Sequence, residues 1–356
     1  MAVKFDYIIG NPPYQGDNHQ QLYPDFYVSS IEIGKCVELI FPTGWQKPTN
    51  ANNLKKMNSP KVKEDKQIVF IHNVHGVFKG ITGAEWTNIL MWKKGYDNGL
   101  NGKQHVLIDG EGNKTVYLDS DVNNRICLTD DLTSILEKVK SKTDKSLSSI
   151  MILQNKYDLE YLYVQYPELR NVIGSNGKDK RVRNDHLGKI CAFHNDERDG
   201  DMKFYGVIRN SRAVKYINRL CIEDTWGNID KYSVLVATAA GSGNFGDKLS
   251  SFIICKPNEG YTQTFIGVGA VDDEKTALII EKYMKTKFVR TMLYTLKCSQ
   301  QNSIKTWQNV PLQDFTPESD IDWSVSIPNI DRQLYRKYGL TSEEIDFIET
   351  HVKPME

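Results

Sequence analysis

The most constraining feature of the sequence comes at its start. Residues 3–10, VKFDYIIG, form a compact apolar run closed by glycine, and Asn11-Pro12-Pro13-Tyr14 follows at once. A run of that length and bounding reads as a short buried strand of the parallel type. Neither proline can donate to a sheet ladder, so the strand must end at Gly10 and the chain must leave the sheet there. That fixes Asn11 at the carboxyl end of a strand, next to a carbonyl that two prolines hold rigidly.

This arrangement suits one chemical task, the activation of an exocyclic amine. The lone pair of adenine N6 is conjugated into the ring and is a poor nucleophile. Two acceptors gripping its two hydrogens would draw the nitrogen toward tetrahedral geometry and aim the lone pair outward. Asn11 can offer its side-chain oxygen and Pro12 its carbonyl, with no competing N–H nearby. Tyr14 can stack on a base that has left the duplex. Asp6 and Gly10 shape the turn.

These residues resemble the adenine-N6 DNA methyltransferases of bacterial type II restriction–modification systems, in which Asn-Pro-Pro-Tyr ends the fourth strand of an S-adenosylmethionine-dependent fold. Lys35–Trp45, KCVELIFPTGW, is similar to the next strand of that family, and Gly76–Lys94 to the segment after its sixth. Thr82-Gly83-Ala84-Glu85 departs from the Gly-Gly pair expected there. Downstream, Tyr283–Arg290, Lys297, Gln300, Val310-Pro311 and Asp314-Phe315 resemble the C-terminal recognition region of the type II branch, and Leu334–Leu340 with Glu343-Glu344-Ile345 its tail. The resemblance implies Asn11, Pro12, Pro13 and Tyr14 as catalytic residues and S-adenosyl-L-methionine as cofactor.

The family's cofactor turn is Gly-rich, follows the first strand and opens a helix. Here the sequence starts at the equivalent of the fourth strand, so the resemblance implies that the cofactor-binding half is lacking. A circular permutation would place the turn later, and Ala240-Gly-Ser-Gly-Asn-Phe-Gly246 is the candidate. Asp247-Lys-Leu-Ser-Ser and a short β run follow it instead of an amphipathic helix and an acid-tipped strand, so it reads as a loop. The cofactor-binding residues stay unassigned.

Along the rest of the chain, Leu22–Ile33 reads as a helix through Leu22, Phe26, Ser29/Ser30 and Ile33, with Gly34 as its cap. Cys36–Phe41, Ile68–Phe78 and Thr87–Lys93 read as strands, residues 96–124 as a hairpin or linker, and Leu132–Lys145 as an amphipathic helix. Short β runs follow (Lys203–Ile208, Tyr232–Thr238, Phe252–Cys255, Thr264–Val268). One long helix, Asp273–Leu296, interrupts them. Ser342–Val352 is a final helix capped by Thr341 or Ser342.

Charge supplies the second functional signal. The chain carries 45 basic and 45 acidic residues, yet residues 170–306 hold 22 basic against 15 acidic. That surplus favours a polyanionic partner. Within it, Lys178, Lys180, Arg181 and Arg183 form a cluster that is either a phosphate-contacting loop or a solvated turn. The basic positions Lys282, Lys285, Lys287 and Arg290 of the long helix could follow a DNA backbone, joined by Lys297. Gln300 and Gln301 could read adenine edges.

Other patterns carry less. His72 and His75 point to opposite faces of a strand. His186, Cys191 and His194 lack a fourth ligand at metal spacing, so no metal is expected. Asp272-Asp-Glu-Lys275 has an acid-x-Lys step, but acids also favour a helix start for dipole reasons. The six cysteines contain no CxxC pair, which suits reduced thiols in cytoplasm, and no run approaches the ~18 apolar residues of a membrane span.

The expected fold class is therefore α/β: a partial, Rossmann-like methyltransferase sheet plus a mixed α+β target-recognition domain. Residues 1–95 form the catalytic half, 96–147 a linker, 148–316 the recognition domain and 317–356 a helical tail. The function implied is site-specific methylation of a flipped adenine in double-stranded DNA. A separate chain with the cofactor half, or a restriction nuclease, is a possible partner. The alternative is a catalytically inactive DNA-binding specificity fragment.

Overall fold

The computed structural model describes residues 4–16, 20–46, 56–57, 59–74, 87–100, 104–109, 112–118, 130–154, 157–172, 180–240, 245–297 and 300–355. The chain is mixed α/β with several sheets and divides into two compact units. One comprises residues 1–141 with 242–244 and 294–299, and the other 142–241, 245–293 and 300–356.

The first unit is built on one six-stranded sheet. Strands β1 (Phe5–Gly10), β2 (Gly34–Pro42), β3 (Ile68–Val74), β4 (Thr87–Lys93), β5 (Gln104–Asp109) and β6 (Gly112–Tyr117) lie in the order β1-β2-β4-β3-β5-β6. β1 and β2 are parallel, β4 runs against both β2 and β3, and β3 is parallel to β5. Helix α1 (Tyr23–Ile33) makes the crossover from β1 to β2, followed in sequence by α2 (Pro60–Lys63) and α3 (Asp130–Lys142). Within the stretch read as a hairpin or linker, β5 and β6 form an antiparallel pair that extends this sheet, and α3 ends before Lys145.

The α1 boundaries match the sequence reading, but its buried face does not. Tyr23 and Tyr27 are buried at 1% and 0% exposure, while Phe26 is 46% exposed. Tyr23 stacks on Phe41 of β2 at 5.1 Å and Tyr27 meets the same ring edge-on at 6.1 Å. Positions four apart share a helix face, and the two tyrosines pack as aromatics despite their hydroxyls. Burial pushes the Tyr27 hydroxyl pKa far up, so it stays neutral.

The second unit begins with β7 (Met151–Leu153), β8 (Tyr157–Asp158), α4 (Glu160–Gln165) and α5 (Asn184–Lys189). A hairpin of β9 (Asp201–Ile208) and β10 (Ser211–Asn218) follows, then β11 (Glu223–Asp224), β12 (Tyr232–Ala237), β13 (Ile253–Cys255), β14 (Glu259–Tyr261) and β15 (Phe265–Val271). The sheets are β13-β12-β15-β7, β10-β9-β14 and β11-β8. Helices α6 (Glu274–Lys285), α7 (Lys287–Tyr294), α8 (Ile327–Tyr338) and α9 (Ser342–His351) complete it. α9 carries the expected capping box between Thr341 and Glu344.

The single helix expected over Asp273–Leu296 is two. Thr286 is extended, with φ −60° and ψ 149°, and closes α6. Its hydroxyl then accepts from the Val289 N–H at 3.2 Å, so one threonine ends one helix and starts the next. Asp331 of α8 completes that start. Its carboxylate takes the Lys287 and Phe288 N–H groups at 3.1 and 2.9 Å.

Burial pushes the Asp331 carboxyl up to about 6, against the pull of those two backbone bonds. A carboxyl raised on folding stays protonated in the native state while the unfolded chain ionises. Its contribution to stability is thus complete below the ordinary value of 3.8 and is lost as pH rises to about 6. Urea unfolding from about pH 4 to about pH 7 should show this loss in the wild type and not in Asp331→Asn. Asp331→Ala should cost roughly 1–3 kcal/mol by stranding the buried Phe288 N–H and the half-buried Lys287 N–H.

Candidate functional site

The register of the first sheet brings the singled-out residues to one edge. Gly10, the last residue of β1, lies beside Leu39, and the next residues of β2 lead to Phe41, which pairs with Asn88 of β4, itself paired with Asn73 of β3. The carboxyl ends of β1, β2 and β3 therefore meet the start of β4, the edge where open α/β sheets bind ligands.

At the β1 end, Asn11 and Pro13 are exposed, Pro12 is buried and Tyr14 is half-buried. The Tyr14 carbonyl accepts from Leu22 N–H at 3.0 Å, and Gly16 N–H donates to the Gln20 carbonyl at 2.8 Å. These bonds pin the loop as it turns back into α1. The Tyr14 ring packs against the core that holds Tyr23, Tyr27 and Phe41. Neither the Asn11 carboxamide nor the Pro12 carbonyl has a hydrogen-bond partner among the described residues. Two acceptors are thus uncommitted on a loop that is otherwise tied down.

The neighbouring strand ends are held by a polar network that the sequence reading missed. The buried Trp45 indole donates to Asn88 Oδ1 at 2.8 Å. Gln46 and Asn73 exchange a reciprocal amide pair at 3.0 and 3.2 Å. Since an indole nitrogen can only donate, the orientation of Asn88 is set, and its Nδ2 is buried with no partner among the described residues. Alternation around Thr87–Lys93 marks the strand, but nothing in it marks Asn88 as buried.

The basic residues are placed differently from one another. Lys178 and His75 lie outside the described residues. Lys180 is exposed and pairs with Glu160 at 2.9 Å. Arg181 is exposed, in a bridge to Asp158. Arg183 is half-buried at the start of α5, its N–H on His186 Nδ1 at 2.9 Å. Lys285 pairs with Glu281 at 3.2 Å, and Lys287 with Glu349 at 2.6 Å. Lys282 donates to the Trp323 carbonyl at 3.0 Å. Arg290 and Lys297 are buried at 0% and 1% exposure. Lys282, Lys285, Lys287 and Arg290 therefore do not form one exposed basic face, because the break at Thr286 turns Arg290 inward. Gln300 is exposed, with its carbonyl on the Ala240 N–H at 2.8 Å.

His186 and His194 are also committed. His186 meets Tyr163 Oη at 3.3 Å, and His194 meets Asp201 at 2.6 Å. No metal-holding group of three such side chains occurs among the described residues. Asp273 caps α6 through the Thr276 N–H at 2.8 Å, which accounts for one acid of the acid-x-Lys step. No helix of the described residues is long and apolar enough to cross a membrane.

No family model and no curated protein matches the chain. Among solved structures it is similar to the type IIL restriction–modification enzyme MmeI in complex with DNA, at 10% identity and TM-score 0.47, over 97% of this chain and 56% of that one. It is also similar to the type IIG restriction endonuclease BpuSI, at 12% identity and TM-score 0.36, over 96% and 49%. The ATP-dependent type ISP restriction–modification enzyme LlaBIII bound to DNA matches at 11% identity and TM-score 0.38, over 84% and 28%. The chain spans about half the length of the first two.

The Trp45–Asn88 bond gives the strand-end network its direction. Trp45→Phe keeps the ring and removes the donor, leaving the Asn88 oxygen with only the long 3.5 Å contact to Gln46. The expected loss is about 1–3 kcal/mol, measured by urea unfolding.

Proposed function

We propose that this chain is the amine-activating part of a site-specific DNA adenine-N6 methyltransferase of a restriction–modification system. The observation that carries the reading is the pair of uncommitted acceptors, the Asn11 carboxamide oxygen and the Pro12 carbonyl, on a pinned loop at the carboxyl end of β1. The order β1-β2-β4-β3 with β4 antiparallel supports it, as does the resemblance of Asn11–Tyr14 and Lys35–Trp45 to that family.

In this reading a flipped adenine rests against Tyr14. Its two N6 hydrogens are held by Asn11 and Pro12, and their grip tightens as positive charge develops on nitrogen. The contact is therefore worth more in the transition state than in the bound base. Tyr14 holds the extruded base, a stacking contact of about 1–3 kcal/mol in comparable sites.

S-adenosylmethionine, as a sulfonium, would supply the methyl group. The described residues do not fit it. Ala240 is buried, Gly246 (φ 74°) lies so close to the His351 carbonyl that a Cβ would sit 2.0 Å from it, and no helix separates Gly246 from β13. We assign the donor's seat to further polypeptide, either more of a longer protein or a separate chain, docking along the outer edge of β1. Phe5, Tyr7 and Ile9, on one face of β1, are 51%, 73% and 74% exposed, and among the described residues β1 pairs with β2 alone. An apolar, unpaired edge of this kind invites a strand. A restriction nuclease is a second partner this reading admits.

Two experiments test the reading. Calorimetry on the isolated chain should show weak S-adenosylmethionine binding; low-micromolar affinity would return the donor to this chain. With the donor-carrying polypeptide supplied, Asn11→Ala should lower the single-turnover rate at least a hundredfold with duplex affinity nearly unchanged, on the order of 3 kcal/mol of transition-state stabilisation. Tyr14→Phe should be mild and Tyr14→Ala should weaken base extrusion, followed by 2-aminopurine fluorescence. A wild-type rate in Asn11→Ala would reduce Asn11–Tyr14 to a structural turn.

A further inference from the structure

The hairpin of β9 and β10 ends in a two-residue turn, Arg209-Asn210, between paired Ile208 and Ser211. Both turn residues are left-handed, at φ 49° and 62°. Such a turn matches the twist of the strands but favours Asn-Gly, and arginine is costly in it. An outlier of this kind persists where the side chain has a use.

The two side chains are also free. Arg209 and Asn210 are exposed, and neither has a hydrogen bond or ion pair among the described residues. In this they differ from Lys180, Lys285 and Lys287, which are paired with carboxylates. Arg212, though exposed, donates to the Ser251 hydroxyl at 3.4 Å and lies 6.0 Å from the Phe265 ring centroid, so the free charge at the turn is that of Arg209.

The hairpin is braced close to its turn. Asn184 Oδ1 accepts from the Val207 N–H at 2.9 Å and from the Thr262 hydroxyl at 2.6 Å. Gly206 packs so closely on α5 that a Cβ would meet Leu187 at 2.6 Å. The turn is thus fixed in place by contacts that reach to within two residues of Arg209.

We propose that this tip reads base edges in the major groove of duplex DNA. A guanidinium can bond guanine O6 and N7 together, and a carboxamide can bond adenine N6 and N7. Arg209 and Asn210 become specificity-determining residues. The inference rests on the DNA reading above but not on the chemistry at Asn11.

The test uses the full chain and a pool of randomised duplexes, with selection for bound sequence and anisotropy across a salt series. Arg209→Gly suits the turn, so its melting midpoint should equal or exceed that of the wild type. Its affinity for the selected duplex should fall about tenfold or more, with the salt slope little changed, because a contact to base edges neutralises no phosphate. Arg209→Lys should keep the slope but lose the base preference, because an ammonium cannot bond two acceptors as a fork does. Asn210→Gly should relax the preference at an adjacent base. Affinity and preference unchanged in all three variants would overturn the assignment while leaving the DNA reading intact. Lower affinity with preference unchanged would make the tip a phosphate contact and overturn base reading. Failure of the wild-type chain to bind any duplex would overturn the DNA reading, and this inference with it.

Discussion

The first unit depends on where β1 stops. Pro12 and Pro13 cannot extend the ladder, so the strand ends at Gly10 and the next two acceptors, on Asn11 and Pro12, are left outside the sheet. Were β1 to run on, the Pro12 carbonyl would be spent on strand pairing and the Asn11 side chain would be turned onto a face of the sheet. The rest of the unit keeps that end fixed. Leu22 N–H holds the Tyr14 carbonyl, Tyr23 and Tyr27 clamp α1 to Phe41, and Trp45, Gln46, Asn73 and Asn88 knit the neighbouring strand ends. A site built at such ends inherits the rigidity of the strands beneath it.

The second unit shows how little a basic surplus says about where a polyanion would bind. Lysine and arginine are in excess over residues 170–306, yet much of that charge is spent internally. Arg290 is wholly buried near Asp331, and Lys285 and Lys287 face glutamates. At the β9–β10 turn, Arg209 is exposed and has no ion pair among the described residues. Fold, not composition, decides which cations remain available.

What the sequence disclosed follows the reach of its signals. Strand ends at Gly10, the cap at Gly34, the capping box at Thr341 and the strand at Thr87–Lys93 are local, and local chemistry sets them. The buried face of α1 was hidden because tyrosine reads as half polar. The break at Thr286 was hidden because its reason sits far away, on Asp331 of α8. The β9–β10 hairpin was half seen: β9 alternates, but Arg209-Asn210 is not the turn that strands of this kind advertise. At the site, the end of β1 at Gly10 was legible from the proline pair, whereas Asn73 and Asn88 come together only through strand order.

The central claim is that the Asn11–Pro12 acceptors select and activate an adenine amine. Product chemistry tests it most directly. Duplex DNA incubated with the chain, its donor-carrying polypeptide and isotopically labelled S-adenosylmethionine should be digested to nucleosides and analysed by mass spectrometry. The account predicts label in N6-methyldeoxyadenosine alone, at one sequence context. Label in N4-methyldeoxycytidine or 5-methyldeoxycytidine, or no labelled nucleoside from a complex that binds both DNA and donor, would contradict it.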